Sequence, residues 1–228
     1  MLDGGEVPVA GAGRTDAGVH ALGQVASFTL RRIITPDALS RAVNSHLPDD
    51  VRVVRAEEVP SSFHARFVVS RKTYRYRIWN ADVLNPFERE YAWHVRGALD
   101  FDAMQAGARS LLGRHDFASF QAADGTQRTT EREVFASELL SRAEDTGAAF
   151  VPSAARLITY EISGSGFLRH MVRAIVGSLV EIGCGRRRVE WLREVLAARD
   201  RSRAGPTAPP HGLVLVRVDY TDGEPTGG

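Results

Sequence analysis

The segment Ser70–Trp79 places the tightest limit on what this chain can fold into. Lys72, Tyr74, Tyr76 and Ile78 alternate strictly with Arg71, Thr73, Arg75 and Arg77. A period of two is that of a β-strand, whose successive side chains point to opposite faces. One face is aromatic and apolar, and the other is cationic. Along the chain, helical and strand patterns interleave, and hairpin-like connections dominate the second half. These features predict an α+β fold with a largely antiparallel sheet and helices on one face.

The other elements follow from the same two periods. Gln24–Leu30 reads as a strand. Thr35-Pro36 opens a helix, with a hydroxyl N-cap, proline at the first helical position and Asp37 in the first turn. Ala38, Leu39, Ala42, Val43 and Leu47 form its apolar stripe, and Pro48 ends it. Val51–Ala56 reads as a short strand and Glu57–Ser62 as a linker. Tyr91–Val95 is a candidate partner for Ser70–Trp79. Asp100 caps a helix reaching about Leu112, with Met104, Ala108, Leu111 and Leu112 inward.

Arg132–Leu140 and Leu157–Gly164 read as neighbouring strands, with a polar loop, Ser141–Arg156, that is long for a plain hairpin. Leu168–Ile182 carries the clearest helical pattern, with Arg169 and Arg173 on one flank of its apolar stripe. Val189–Arg199 is a further helix, Arg201–His211 a proline-containing loop, and Leu213–Tyr220 a last strand. The tail from Thr221 is expected to be disordered.

Composition narrows the class. The chain has 228 residues, a net charge of +1 and one cysteine, which excludes an internal disulfide and a multi-cysteine metal site. No apolar run approaches the roughly 20 residues that span a bilayer. A cytoplasmic protein with no membrane segment is expected. Arg66, Arg71, Lys72, Arg75 and Arg77 fall within twelve residues that hold no acid. Lys72 is the only lysine, so the arginine skew is general, and these clusters permit a polyanion without demanding one.

The segment Gly11-Ala12-Gly13-Arg14-Thr15-Asp16-Ala17-Gly18-Val19-His20 concentrates glycines around one cation, one hydroxyl and one carboxylate. Glycine at this density suits a sharp turn or a closely approached backbone. Arg14 and Asp16 lie two apart, so an extended segment points both to one side. Two readings stand: a polar turn in which Asp16 bonds its own backbone, or a catalytic carboxylate.

This segment, continued through Ala21-Leu22-Gly23-Gln24-Val25, resembles the signature of the tRNA pseudouridine synthase A family. Three further blocks match in the family's order: Phe63–Phe67 with Lys72–Tyr76, Gly166–Arg173, and Ala204–Leu213. The resemblance covers nearly the whole chain. It implies the pseudouridine synthase fold: two ferredoxin-like α/β halves, a joined and mainly antiparallel sheet, and a central active-site cleft. Residues 1–60 would form the N-terminal half-domain carrying the catalytic aspartate, and 61–228 the C-terminal α/β domain. The implied activity is isomerisation of uridine to pseudouridine in the anticodon stem-loop of tRNA. No cofactor and no metal are implied, tRNA is the partner, and the assembly is a homodimer.

The resemblance makes Asp16 the nucleophile or base and Arg173 its ion-pair partner. Tyr74 matches the family's substrate-stacking tyrosine, because a base inside a stem must leave the stack to be reached. The cations flanking Tyr74 in sequence are expected to hold adjacent phosphates. Arg14 is expected to contact the RNA. His20, with His64 and His170, is an RNA-contacting or hydrogen-bonding group, a structural role being the alternative. Tyr76 reads as a core aromatic. One departure is that the family's usual N-terminal strand and helix have no counterpart before Gly11. It raises the alternative of a catalytically impaired RNA-binding remnant, less soluble and with an open sheet edge.

Overall fold

Strand pairing realises the alternation of Ser70–Trp79 in the computed structural model, which describes residues 5–123, 125, 129–143 and 155–221. In chain order the elements are β1 (Ala10–Gly11), β2 (His20–Ala21), β3 (Ala26–Ser27), α1 (Pro36–Asn44), β4 (Val69–Asn80), β5 (Trp93–Val95) and α2 (Phe101–Arg109). Then follow β6 (Gly113–Asp116), β7 (Glu131–Ala143), β8 (Arg156–Gly164), α3 (Met171–Gly183), α4 (Trp191–Ala198) and β9 (Leu213–Tyr220). The chain divides into two compact units. One comprises Met1–Gly13, Val25–Val69 and Tyr220–Gly228, and the other Arg14–Gln24 and Ser70–Asp219.

The first unit holds the antiparallel ladder β1–β3, with Ala10 opposite Ser27. The strand expected over Gln24–Leu30 is paired only at β3. In α1 the Thr35 hydroxyl accepts from Ala38 N–H and Pro36 occupies the first turn, as the sequence predicts. Its stripe of Ala38, Leu39, Ala42, Val43 and Leu47 is half-buried. Val51–Ala56 forms no strand. The Asn44 side chain meets the backbone there instead, donating to Val53 O at 2.8 Å and accepting from Val53 N–H at 2.7 Å. One amide takes up the donor and acceptor that a neighbouring strand would have used.

The second unit is built on a seven-stranded sheet of order β2-β9-β4-β8-β7-β6, with β5 beside β4. The β4–β8, β8–β7 and β7–β6 pairs are antiparallel, and β4–β5 and β2–β9 are parallel. The sheet is mixed and mostly antiparallel, and the fold is α+β. Helices α2 and α3 pack together, and α2 lies on β7. The core joins Tyr76 and Ile78 of β4 to Ile158, Tyr160 and Ile162 of β8 and to Met171, Ile175 and Leu179 of α3. Each large apolar side chain so buried contributes about 1.5–3 kcal/mol.

The other face of β4 carries the arginines. Arg75 lies opposite Glu161 in register and donates to its Oε2 from Nε at 3.1 Å and Nη2 at 2.9 Å. Arg77 pairs with Glu88 at 2.9 Å, and Arg71 sits over the Phe135 ring at 5.0 Å. The arginines that flank Tyr74 in sequence therefore point to the opposite face of the strand, and two of them are already paired. The expectation that flanking cations hold phosphates around a base stacked on Tyr74 is corrected for these arginines, whereas Lys72 lies on the Tyr74 face of the strand.

Two further corrections concern helix boundaries. Helix α2 keeps the Asp100 cap, its Oδ1 accepting from Ala103 N–H at 2.9 Å, but ends at Arg109, and Leu112 is 43% exposed. Helix α3 begins at Met171, because His170 adopts a left-handed backbone with φ of 63°. Arg169 consequently precedes the helix and does not share a helical flank with Arg173. Residues 144–154 of the polar loop and 222–228 of the tail lie outside the described residues.

Candidate active site

The loop between β1 and β2 carries Asp16. It closes a turn in which Val19 N–H donates to Asp16 O at 3.0 Å, and Gly18 takes φ of 79°. A positive φ at the third turn position favours glycine. After the turn, His20 and Ala21 pair with Val214 and Leu215 of β9, and Leu22 N–H donates to Leu215 O at 2.8 Å. At Gly23 a Cβ would come within 2.4 Å of Val216 O, so only glycine lets the chain pass β9 here. The glycines of the motif thus seat the aspartate loop against the last strand.

Asp16 meets the first turn of α3. Arg173 Nη1 donates to Asp16 Oδ2 at 2.8 Å, with side-chain exposures of 12% and 24%. The guanidinium is anchored from behind, since Nε donates to Ala208 O at 2.7 Å. His170 places Nε2 at 3.5 Å from the same Oδ2. Both contacts fall on one carboxylate oxygen, and no described residue donates to Oδ1. The N-terminal turn of a helix also presents the positive end of its dipole to an anion.

Tyr74 stands beside this pair. Its ring is half-buried and packs edge-on to Phe167, centroids 5.2 Å apart. Burial first, then the Asp16 charge, pushes its phenol up to about 12, which keeps it protonated at neutral pH. Tyr76 is fully buried, donates to Pro209 O at 2.8 Å and packs in the core, as the sequence predicts. Asp16 and Arg173 are therefore in contact across 157 residues, and the Asp16 charge reaches Tyr74.

The other two site candidates, His20 and Arg14, have no contact with Asp16 among the described residues. His20 Nε2 lies 2.8 Å from Glu90 O, and its ring lies 5.1 Å from Tyr91. Arg14 is exposed and has no ion pair among the described residues. The sequence groups His170 with His20 and His64 as a hydrogen-bonding or RNA-contacting residue, but does not place it against Asp16. Its position next to Met171 was visible, but the left-handed backbone that aims the imidazole was not.

The arrangement offers a carboxylate with one oxygen fixed by an always-charged guanidinium and the other without a donor among the described residues, its charge felt by a protonated aromatic ring. That suits attack on, or proton removal from, a substrate held by stacking. Among the described residues no group of His, Cys, Asp and Glu could hold a metal ion, and no helix is long and apolar enough to cross a membrane.

The family described as tRNA pseudouridine synthase matches residues 2–68 and 108–221. That match includes Asp16, His170 and Arg173 and leaves out β4 with Tyr74. The chain is 45% identical over 224 residues to tRNA pseudouridine synthase A of Myxococcus xanthus, covering 98% of this chain and 80% of that protein. It is 46% identical over 219 residues to the protein of the same name from Moorella thermoacetica, covering 96% and 84%. The corresponding protein of Shouchella clausii is 45% identical over 217 residues, covering 95% and 78%. By the extent of the family match and by these identities, the chain belongs to the tRNA pseudouridine synthase family.

Proposed function

We propose that this protein isomerises uridine to pseudouridine in the anticodon stem-loop of tRNA, with Asp16 as the reacting carboxylate. The observation that carries this reading is the Asp16–Arg173 contact at 2.8 Å, set in the first turn of α3 beside Tyr74. The reaction breaks the N1–C1′ bond, turns the uracil and rejoins it through C5, while the C5 hydrogen leaves as a proton and N1 gains one. No electron is transferred, and one carboxylate is the essential group. It attacks the sugar, adds to C6, or removes a ribose proton; the open Oδ1 serves each route.

In this reading Tyr74 stacks the flipped base, and Arg14, the exposed cation of the same loop, meets the RNA backbone. His20 contributes through the loop whose end it pins to Glu90. The protein acts as a homodimer in the cytoplasm. The impaired-remnant alternative is not favoured, because the carboxylate and its guanidinium are assembled and the relatives carry the name of an active enzyme.

Release of tritium from tRNA carrying C5-labelled uridine tests the proposal. The protein should release label stoichiometrically with pseudouridine formed, and Asp16→Asn should release none. Full-length tRNA bound without any release by the parent protein would overturn it.

A further inference from the structure

Among the described residues two non-glycine residues have positive φ, His170 at 63° and Arg199 at 51°. Arg199 follows the last turn of α4, where a left-handed residue commonly ends a helix. His170 stands at the opposite kind of position. It is the N-cap of α3, where the backbone is normally extended and the side chain accepts from the first turn; here it is left-handed and makes no such bond. A conformation that L-residues avoid, at a helix start that gains no cap from it, persists only where its surroundings hold it, and such residues cluster at functional sites.

The imidazole supplies the reason. Nε2 lies 3.5 Å from Asp16 Oδ2, the oxygen that already accepts from Arg173, so two groups from one helical turn converge on one atom. The backbone around His170 is fixed from both sides: Arg169 O accepts from Ala122 N–H at 3.0 Å, and His170 O from Ala174 N–H at 2.9 Å. Arg173 is held in turn by Ala208.

We propose that His170 is a positioning residue for Asp16. Imidazole and guanidinium together hold Oδ2, and so present Oδ1 to the nucleotide on Tyr74. The proposal rests on the reading of Asp16 as the reacting carboxylate. It assigns different duties to the two oxygens, and makes the unusual backbone of His170 the device that sets the carboxylate's orientation.

Substituting His170→Gly separates this from a role in the turn alone. Glycine adopts a positive φ without penalty, so the variant relieves the backbone while deleting the imidazole. Expected is a fall in kcat for tRNA of about thirtyfold, with KM within about twofold of the parent, in the range that misplacing a reacting group costs. The melting temperature should equal or exceed the parent's. His170→Gln carries a side-chain N–H donor at about the reach of Nε2, so it should recover part of kcat. A His170→Gly protein with parental kcat, or a folded His170→Gln protein no better than His170→Gly, would overturn the proposal. The contact has a readout that needs no turnover. In nitrogen-15 spectra of the imidazole, Asp16→Asn should move the His170 Nε2 resonance, and an unmoved resonance would show that the two groups do not interact. A parent protein that releases no tritium, with Nε2 still responding to Asp16→Asn, would instead overturn the assigned reaction and leave the contact standing.

Discussion

Arg173 and Ala208 hold each other twice: Arg173 Nε donates to the Ala208 carbonyl at 2.7 Å, and Ala208 N–H donates to the Arg173 carbonyl at 3.1 Å. The guanidinium that meets Asp16 is thus seated by backbone of the loop before β9. Ser178 Oγ accepts from Gly205 N–H at 2.9 Å, and Arg201 reaches Gly205 O and Thr207 Oγ1. The loop is a strap across α3, and it keeps Arg173 from swinging to solvent.

The first prediction concerns that strap. A Cβ at Gly177 would lie 1.7 Å from Pro206 O, a backbone atom, so Gly177→Ala must push the loop off the helix. Overpacking of this kind costs about 1–3 kcal/mol. The melting temperature should drop by roughly 3–10 °C, and kcat should fall with it as Ala208 leaves Arg173. Thermal denaturation and single-turnover kinetics check both; unchanged values would mean that α3 and the strap are not this closely packed.

Asp16→Asn keeps the shape of the side chain and removes its charge. tRNA binding should persist while pseudouridine formation disappears. Turnover within tenfold of the parent, a barrier change of about 1.4 kcal/mol, would exclude Asp16 as the reacting group.

Arg173→Lys retains a cation but loses the fork that joins Asp16 to Ala208. Losing one partner of a buried pair costs about 3–5 kcal/mol, and the partial exposure of Asp16 puts this site at the lower end or below it. Activity should fall by more than tenfold with tRNA affinity unchanged. If filter binding shows weakened affinity and kcat is retained, Arg173 is a phosphate contact.

Tyr74 gives a pH dependence with a definite sign. Its phenol titrates near 10.0 when unfolded and is pushed up to about 12 in the fold, by burial and by the Asp16 charge. Between these values the unfolded chain has lost the proton and the native protein keeps it, so the unfolded state binds fewer protons and stability falls as pH rises. The stabilisation is complete below pH 10 and is lost through pH 12, on the order of 2–3 kcal/mol for this group. Tyr76 and Tyr160, also raised by burial, steepen the fall. Denaturant melts between pH 9 and about pH 11.5 should show Tyr74→Phe with the shallower loss. At neutral pH the variant should keep most activity if the ring stacks the base, whereas Tyr74→Ala should not.

The sequence by itself determined the elements whose signals are local. The Thr35-Pro36 cap, the strand Leu213–Tyr220 and the alternation through Ser70–Trp79 appear as read, because capping and the two-residue pleat depend on neighbours in the chain. The glycine-framed Asp16 and the match of its motif were legible for the same reason. Pairing partners were not local, and there the reading ran out. Val51–Ala56 has strand-like residues, yet its hydrogen bonds go to the Asn44 side chain. Nothing in the sequence marks a partner for Arg75 or Arg77, and in the fold Arg75 pairs with Glu161 of the neighbouring strand and Arg77 with Glu88 of the turn after β4.

Only the tertiary structure decided how the site is held. The distance from Asp16 to Arg173, the strap that seats the guanidinium and the left-handed His170 each depend on groups brought together from several elements. A motif can name a carboxylate, because the residue types that suit its loop are written consecutively. It cannot say which oxygen is anchored and which is open, because that orientation is imposed by backbone and side chains distant in sequence, packed at fixed distances by the core beneath them.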